Sequence, residues 1–88
     1  MQNVLSIMKI TVENTTKIVT LNGVPARIWE GFTESGIKCH CYITRIAIAK
    51  DKPRSEEFER ELNEQKAPSA ETGAIPIRMV LQCLVSIF

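Results

Sequence analysis

Apolar residues in this chain recur mainly at every second position. Met8, Ile10 and Val12 alternate with Lys9, Thr11 and Glu13. From Ile75 to Ile87 every odd position is apolar: Ile75, Ile77, Met79, Leu81, Cys83, Val85 and Ile87. A period of two places alternate side chains on one face of a strand, so the chain is expected to be built around a sheet. Only "KDKPRSEEFERELNEQK" carries a helical pattern, and its two large apolar residues, Phe58 and Leu62, form one narrow stripe. Such a helix can cover part of a sheet but cannot anchor a bundle.

The turn residues divide the strands. "ENTT" at 13–16 offers side chains that hydrogen-bond their own backbone, which predicts a first hairpin over 8–23 with the return strand "KIVTLN". Asn22-Gly23 marks a tight reversal. A second hairpin over 24–50 turns at "TESG". A four-residue loop, Thr33 to Gly36, pairs Phe32 with Ile37. It puts Val24, Ala26, Ile28 and Phe32 on one face with Ile37, Cys39, Cys41 and Ile43. Arg27, Trp29, Lys38, His40, Tyr42 and Thr44 then share the other. A three-residue loop with a left-handed Gly36 slips the register by one and sets His40 opposite Glu30 and Trp29 opposite Cys41. The four-residue loop is preferred because it leaves one face apolar.

The helix is expected over 51–67, capped by Asp51 or Ser55, with Pro53 in its first turn. Glu56 and Glu57 suit its N-terminal end and Lys66 its C-terminal end. "APSAETG" reads as a loop. The strand over 74–88 is too long for a small sheet, and its last part is apolar on both sides. That pattern suggests a homo-oligomer that buries or exchanges the tail through Leu81, Cys83, Val85, Ile87 and Phe88. The expected architecture is one α+β domain over 1–88. It has an antiparallel sheet of about five strands in the order β-β-β-β-α-β, with one helix on one face.

Composition narrows the function. The net charge is +1, and acids and bases interleave along the helix, so a nucleic-acid footprint is not expected. The three cysteines are an odd number and sparse for a secreted mini-domain. "MQNVLSIMKI" lacks the basic start and long apolar core of a signal peptide, and no run approaches the ~18 apolar residues of a membrane span. The expectation is a cytoplasmic protein with free thiols and no membrane partner.

Cys39-His40-Cys41 raises the question of a metal site. On a strand the cysteines share a face and His40 points to the other, so the three cannot easily close on one ion. The same geometry keeps His40 from activating either cysteine. Core cysteines are the preferred reading, with no metal and no cofactor. In the slipped register Glu30 and His40 could form an acid/base pair, but no catalytic motif occurs and no catalytic residue is assigned. Arg27, Trp29, Lys38, His40 and Tyr42 form the candidate binding face. Tyr, Trp and Arg suit a partner contact or a stacked ligand. Trp29 and Tyr42 suit equally well a cross-strand pair that only stabilises the sheet.

The run "LNGVPARIWEGFTESGIKCHCYITRIAI", with "FERELNEQKAPS" and "AIPIRMVL", resembles small uncharacterised proteins encoded in bacteriophages and prophages. The resemblance spans about residues 8 to 81. It implies a bacterial host cytoplasm, and proteins of that kind often act by binding. It carries over no functional residue. The expected function is a non-enzymatic accessory protein that binds a host protein and inhibits a defence system. Two other readings stand beside it. One is an oligomeric sponge for a signalling nucleotide, with Arg27, Lys38 and His40 on phosphate and Trp29 or Tyr42 on the base. The other is a virion structural component.

Overall fold

The structure is a computed structural model that describes residues 7–49 and 54–80. Three strands lead the chain: β1 (Ile10–Leu21), β2 (Val24–Thr33) and β3 (Lys38–Ile43). Two helices follow, α1 (Ser55–Leu62) and α2 (Ala70–Gly73), and then a short strand, β4 (Arg78–Met79). The fold is α+β. Among the described residues its sheet has four strands in the order β3-β2-β1-β4 and is mixed, because β4 runs parallel to β1. This corrects both the fifth strand and the wholly antiparallel sheet.

The first expected hairpin is one continuous strand. "ENTT" forms a bulge within β1, where Thr15, Thr16 and Lys17 stand opposite Ile28 alone. The side chains that suggested a turn complete the ladder instead. Thr15 Oγ1 donates to the Ile28 carbonyl at 2.6 Å and accepts from Lys17 N at 3.2 Å. On the outer edge, Thr16 N donates to Lys66 O and Lys66 N to Asn14 O, both at 3.0 Å. Asx and Thr hydroxyl bonds satisfy a bulge as readily as a turn.

Asn22 and Gly23 make the two-residue reversal between β1 and β2, both at positive φ (50° and 83°). That is the mirror-image turn whose twist matches the strands it joins. Gly23→Ala meets no atom within 4 Å, so its cost is purely conformational. It is expected to destabilise the protein by about 1–2 kcal/mol, read as a lower midpoint in chemical denaturation.

The second hairpin takes the three-residue loop. Thr33 N donates to Ile37 O at 2.8 Å, Gly36 N donates to Thr33 O at 2.9 Å, and Gly36 sits at φ 95°. Glu30 therefore pairs with His40 and Trp29 with Cys41. One face of the sheet holds Ala26, Ile28, Glu30 and Phe32 with Lys38, His40 and Tyr42. The other holds Arg27 and Trp29 with Cys39, Cys41 and Ile43. The four-residue register is thus corrected. Its premise of a wholly apolar face passed over Glu30, which shares the parity of Ile28 and is buried.

The helices depart from expectation as well. α1 is shorter than 51–67 and begins after Arg54, which has no side-chain capping bond. Ser55 lies inside the helix, Asp51 falls outside the described residues, and Lys66 lies beyond the helix end. Arg54 instead pairs with Glu57 in the first turn at 3.1 Å. None of the residues of α1 is buried, and Phe58 and Leu62 are half-buried. "APSAETG" contains α2, capped by Ser69, whose side chain accepts from Thr72 N. Lys17 Nζ reaches the Gly73 carbonyl at the other end, at 3.0 Å.

After α2 the chain crosses the sheet through Ile75, which is buried, and joins β1 at Arg78 and Met79. The Ile77 carbonyl accepts from Thr20 N at 2.6 Å, and the Ile77 side chain is 66% exposed. The expected alternation over 74–88 therefore does not hold from Ile75 to Met79. Leu81, Cys83, Val85, Ile87 and Phe88 fall outside the described residues. Among the described residues the core is Val19, Ala26, Ile28 and Ile75, flanked by Leu21, Tyr42 and Met79. It occupies the sheet face under the α2–β4 segment.

Candidate functional site

Beyond that core the same sheet face opens into a groove of about 640 Å³. Glu30, Phe32 and His40 form its floor, and Ser69, Thr72 and Ile75 its wall. That volume lies within the ~300–1,000 Å³ typical of ligand sites. Phe32 is 51% exposed in the groove, although it stands on the core side of β2.

Glu30 organises the wall. Its residue is 9% exposed, yet both oxygens are fully engaged. Oε1 accepts from Ser69 Oγ at 2.8 Å and from Thr72 Oγ1, while Oε2 accepts from Ser69 N at 3.0 Å. Lys66 Nζ lies 3.4 Å from Oε2. A carboxylate offers about four acceptor positions, and here four donors face them. Burial acts to raise the Glu30 pKa. The bonds from Thr72 and Ser69, with the Lys66 charge, outweigh it and hold the carboxyl down at about 2. Glu30 is thus a clamp on the 66–72 segment that is ionised at neutral pH, and as a proton acceptor it is spent.

His40 faces Glu30 across the strand pair. Its Nε2 lies 3.3 Å from Tyr42 Oη, and the two rings meet edge to face at 5.4 Å. Burial lowers the His40 pKa, against the pull of Glu30 and Glu71, so the ring is mainly neutral at pH 7. Burial also raises the Tyr42 hydroxyl and, with Cys39 nearby, the Cys41 thiol. Cys41 therefore has the character of a resting thiol.

Two exposed ion pairs rim the groove. Lys38 Nζ lies 2.7 Å from Glu71 Oε1, and Lys66 Nζ 3.0 Å from Glu13 Oε1. The Glu13 contact holds the Lys66 ammonium above its ordinary pKa. With His40 neutral, three carboxylates face two ammonium groups, and the groove carries one net negative charge.

The expected binding face is divided. Lys38, His40 and Tyr42 lie on the groove side, with Tyr42 packed against the core. Arg27 and Trp29 lie on the reverse side. There Arg27 Nη1 donates to the Thr15 carbonyl at 3.1 Å, bracing the bulge. Trp29 lines a shallow depression with Ile18, Ile43 and Leu62. The constellation of Arg27, Lys38 and His40 on one phosphate is therefore not assembled. His40 and the two cysteines of "CHC" are on opposite faces. Among the described residues no three His, Cys, Asp or Glu side chains group as metal ligands.

Glu30, Ser69, Thr72 and Lys66 were not singled out together from sequence. The available signal was Glu30 itself, a carboxylate at a core-facing strand position, which demands polar partners from elsewhere in the chain. No helix among the described residues is long and apolar enough to cross a membrane. In comparisons with known proteins, the chain matches no family model, no curated protein and no solved structure.

Proposed function

We propose that this chain is a non-enzymatic accessory protein of a phage or prophage that binds a host protein, acting as an inhibitor of a defence system. The observation that supports binding is the open groove with Phe32 exposed between two charged rims. The observation that argues against chemistry is the commitment of Glu30 to four donors, which removes the base from a Glu30–His40 pair. The phage context and the host cytoplasm rest on the sequence resemblance.

Homo-oligomer formation belongs to the same proposal. The described core is small, and Ile7, Met8, Ile10 and Ile37 are exposed. A second copy that covers apolar surface would add the burial a short chain lacks, with Leu81, Cys83, Val85, Ile87 and Phe88 as the proposed interface. The nucleotide-sponge reading is weaker, because the negative groove and the separated Arg27 do not favour a phosphate.

Phe32→Arg tests the reading. It places a charge in the groove at an exposed position, so the fold is expected to survive with an unchanged melting temperature. Native mass spectrometry of the wild type, purified gently from its own host, is expected to show an oligomer carrying a host protein. The Phe32→Arg protein is expected to lose that partner. Equal retention of the partner by a folded Phe32→Arg protein would remove the groove from the function.

A further inference from the structure

The charge and shape of the groove also indicate what enters it. We infer that it receives an extended protein segment in which an apolar side chain is flanked by lysine or arginine; this rests on the binding function proposed above. The apolar part of the occupant meets Phe32 and Ile75, which line the floor and the wall. The cationic part meets the rims, where Glu13 and Glu71 stand about 70% exposed.

Two features favour a cation over an anion. The Glu30 charge is held by four donors, and its one counter-charge, Lys66, is shared with Glu13, so three carboxylates outnumber two ammonium groups and disfavour an anionic group in the groove. The rim pairs are exposed, and such pairs contribute little. A partner ammonium or guanidinium can therefore take Glu71 from Lys38, and Lys38, itself 66% exposed, returns to water at small cost. An anion can take Lys38 from the equally exposed Glu71 in the same way, so the preference for a cation rests on the surplus carboxylate and on Lys66. Lys66 sits between two carboxylates, Glu13 and Glu30, and His40 contributes no positive charge while neutral.

The two rims stand on opposite sides of β2, with Lys38 on β3 and Glu13 on β1. A chain can thus enter with one cation at each rim and an apolar residue between them. A segment differs from a lone side chain in engaging both rims at once.

The test is a backbone-amide NMR titration of the full chain with two capped peptides. One is acetyl-Lys-Phe-Leu-Lys-amide and the other acetyl-Glu-Phe-Leu-Glu-amide. The basic peptide is expected to move the signals of Phe32, Lys38, Glu71 and Thr72, and the acidic one to leave them in place. Glu71→Gln and Glu13→Gln are each expected to weaken the basic peptide about 3–5-fold, as loss of an exposed charge contact should. Equal or tighter binding of the acidic peptide overturns the inference, and so does the absence of groove shifts with either peptide. If the Phe32→Arg protein loses its host partner while neither peptide enters the groove, the binding function stands and this inference fails. If the groove takes the basic peptide while Phe32→Arg retains the partner, the inference stands and the site of the proposed function fails.

Discussion

Glu30→Gln is expected to lower the unfolding free energy by about 3 kcal/mol at pH 7, the largest effect of any polar substitution in the groove. The carboxylate takes bonds from Ser69 N, Ser69 Oγ and Thr72 Oγ1 and lies beside Lys66. A glutamine amide turns one end into a donor, which then faces donors. Thr72 is 1% exposed, so a bond lost there is not replaced by water. Linkage gives a similar size. The Glu30 pKa falls from 4.5 to about 2 on folding, and each unit corresponds to about 1.4 kcal/mol.

The sign of the pH dependence follows. A carboxyl with a depressed folded pKa contributes its full stability above its unfolded value of 4.5. The contribution declines as pH falls and is lost as pH passes through about 2. Urea denaturation of wild type and Glu30→Gln at pH 7 and pH 2.5 measures this. The gap between the two proteins is expected to be wide at pH 7 and to shrink to about a quarter of that at pH 2.5, just above the folded pKa of about 2. A gap that stays constant across that range would contradict the clamp. Loss of the clamp is also expected to speed amide exchange at Ser69 and Thr72, because it releases the groove wall.

Ile28→Ala is expected to cost about 2–5 kcal/mol, as truncation of a fully buried isoleucine does. Ile28 is 0% exposed and packs with Val19, Ala26 and Ile75 in the small described core. A domain of this length has a total stability on the order of 5–10 kcal/mol, so the loss is a large share of it. Phe58→Ala supplies the contrast. Phe58 is the larger side chain, but it is half-buried on a helix with no buried residue, and its removal is expected to cost less than about 1.5 kcal/mol. Thermal unfolding of both variants measures the difference. Equal losses would mean that α1 carries as much of the core as the sheet does.

Several features were legible because they depend on near neighbours. Asn22-Gly23 makes its turn because those two residues tolerate positive φ, and the strands on either side need that twist. The acidic first turn of α1 and the amphipathic pair Phe58 and Leu62 mark a helix from local charge and spacing. The opposite orientations of His40 and its two cysteine neighbours follow from strand geometry alone.

Other features were decided by distant parts of the chain. "ENTT" has side chains suited to a turn or to a bulge. Lys66 settles the matter by joining the edge of β1 at Asn14 and Thr16. A period of two shows which residues of one strand share a face. It does not show which face of the next strand they join, since a one-residue slip preserves the period. For β2 and β3 that parity accompanies the tight loop at Gly36 and the burial of Glu30 beneath Ser69 and Thr72.

By itself, the sequence of this protein determined an α+β domain, the Asn22-Gly23 reversal, the strand character of β2 and β3, and the separation of His40 from Cys39 and Cys41. Those properties follow from backbone sterics and side-chain alternation over a few residues. The bulge, the register of the second hairpin, the parallel β4 and the groove exist only in the tertiary structure. Each depends on hydrogen-bond partners far away in the chain, up to 57 residues for Thr20 and Ile77, and local pattern does not encode such pairings.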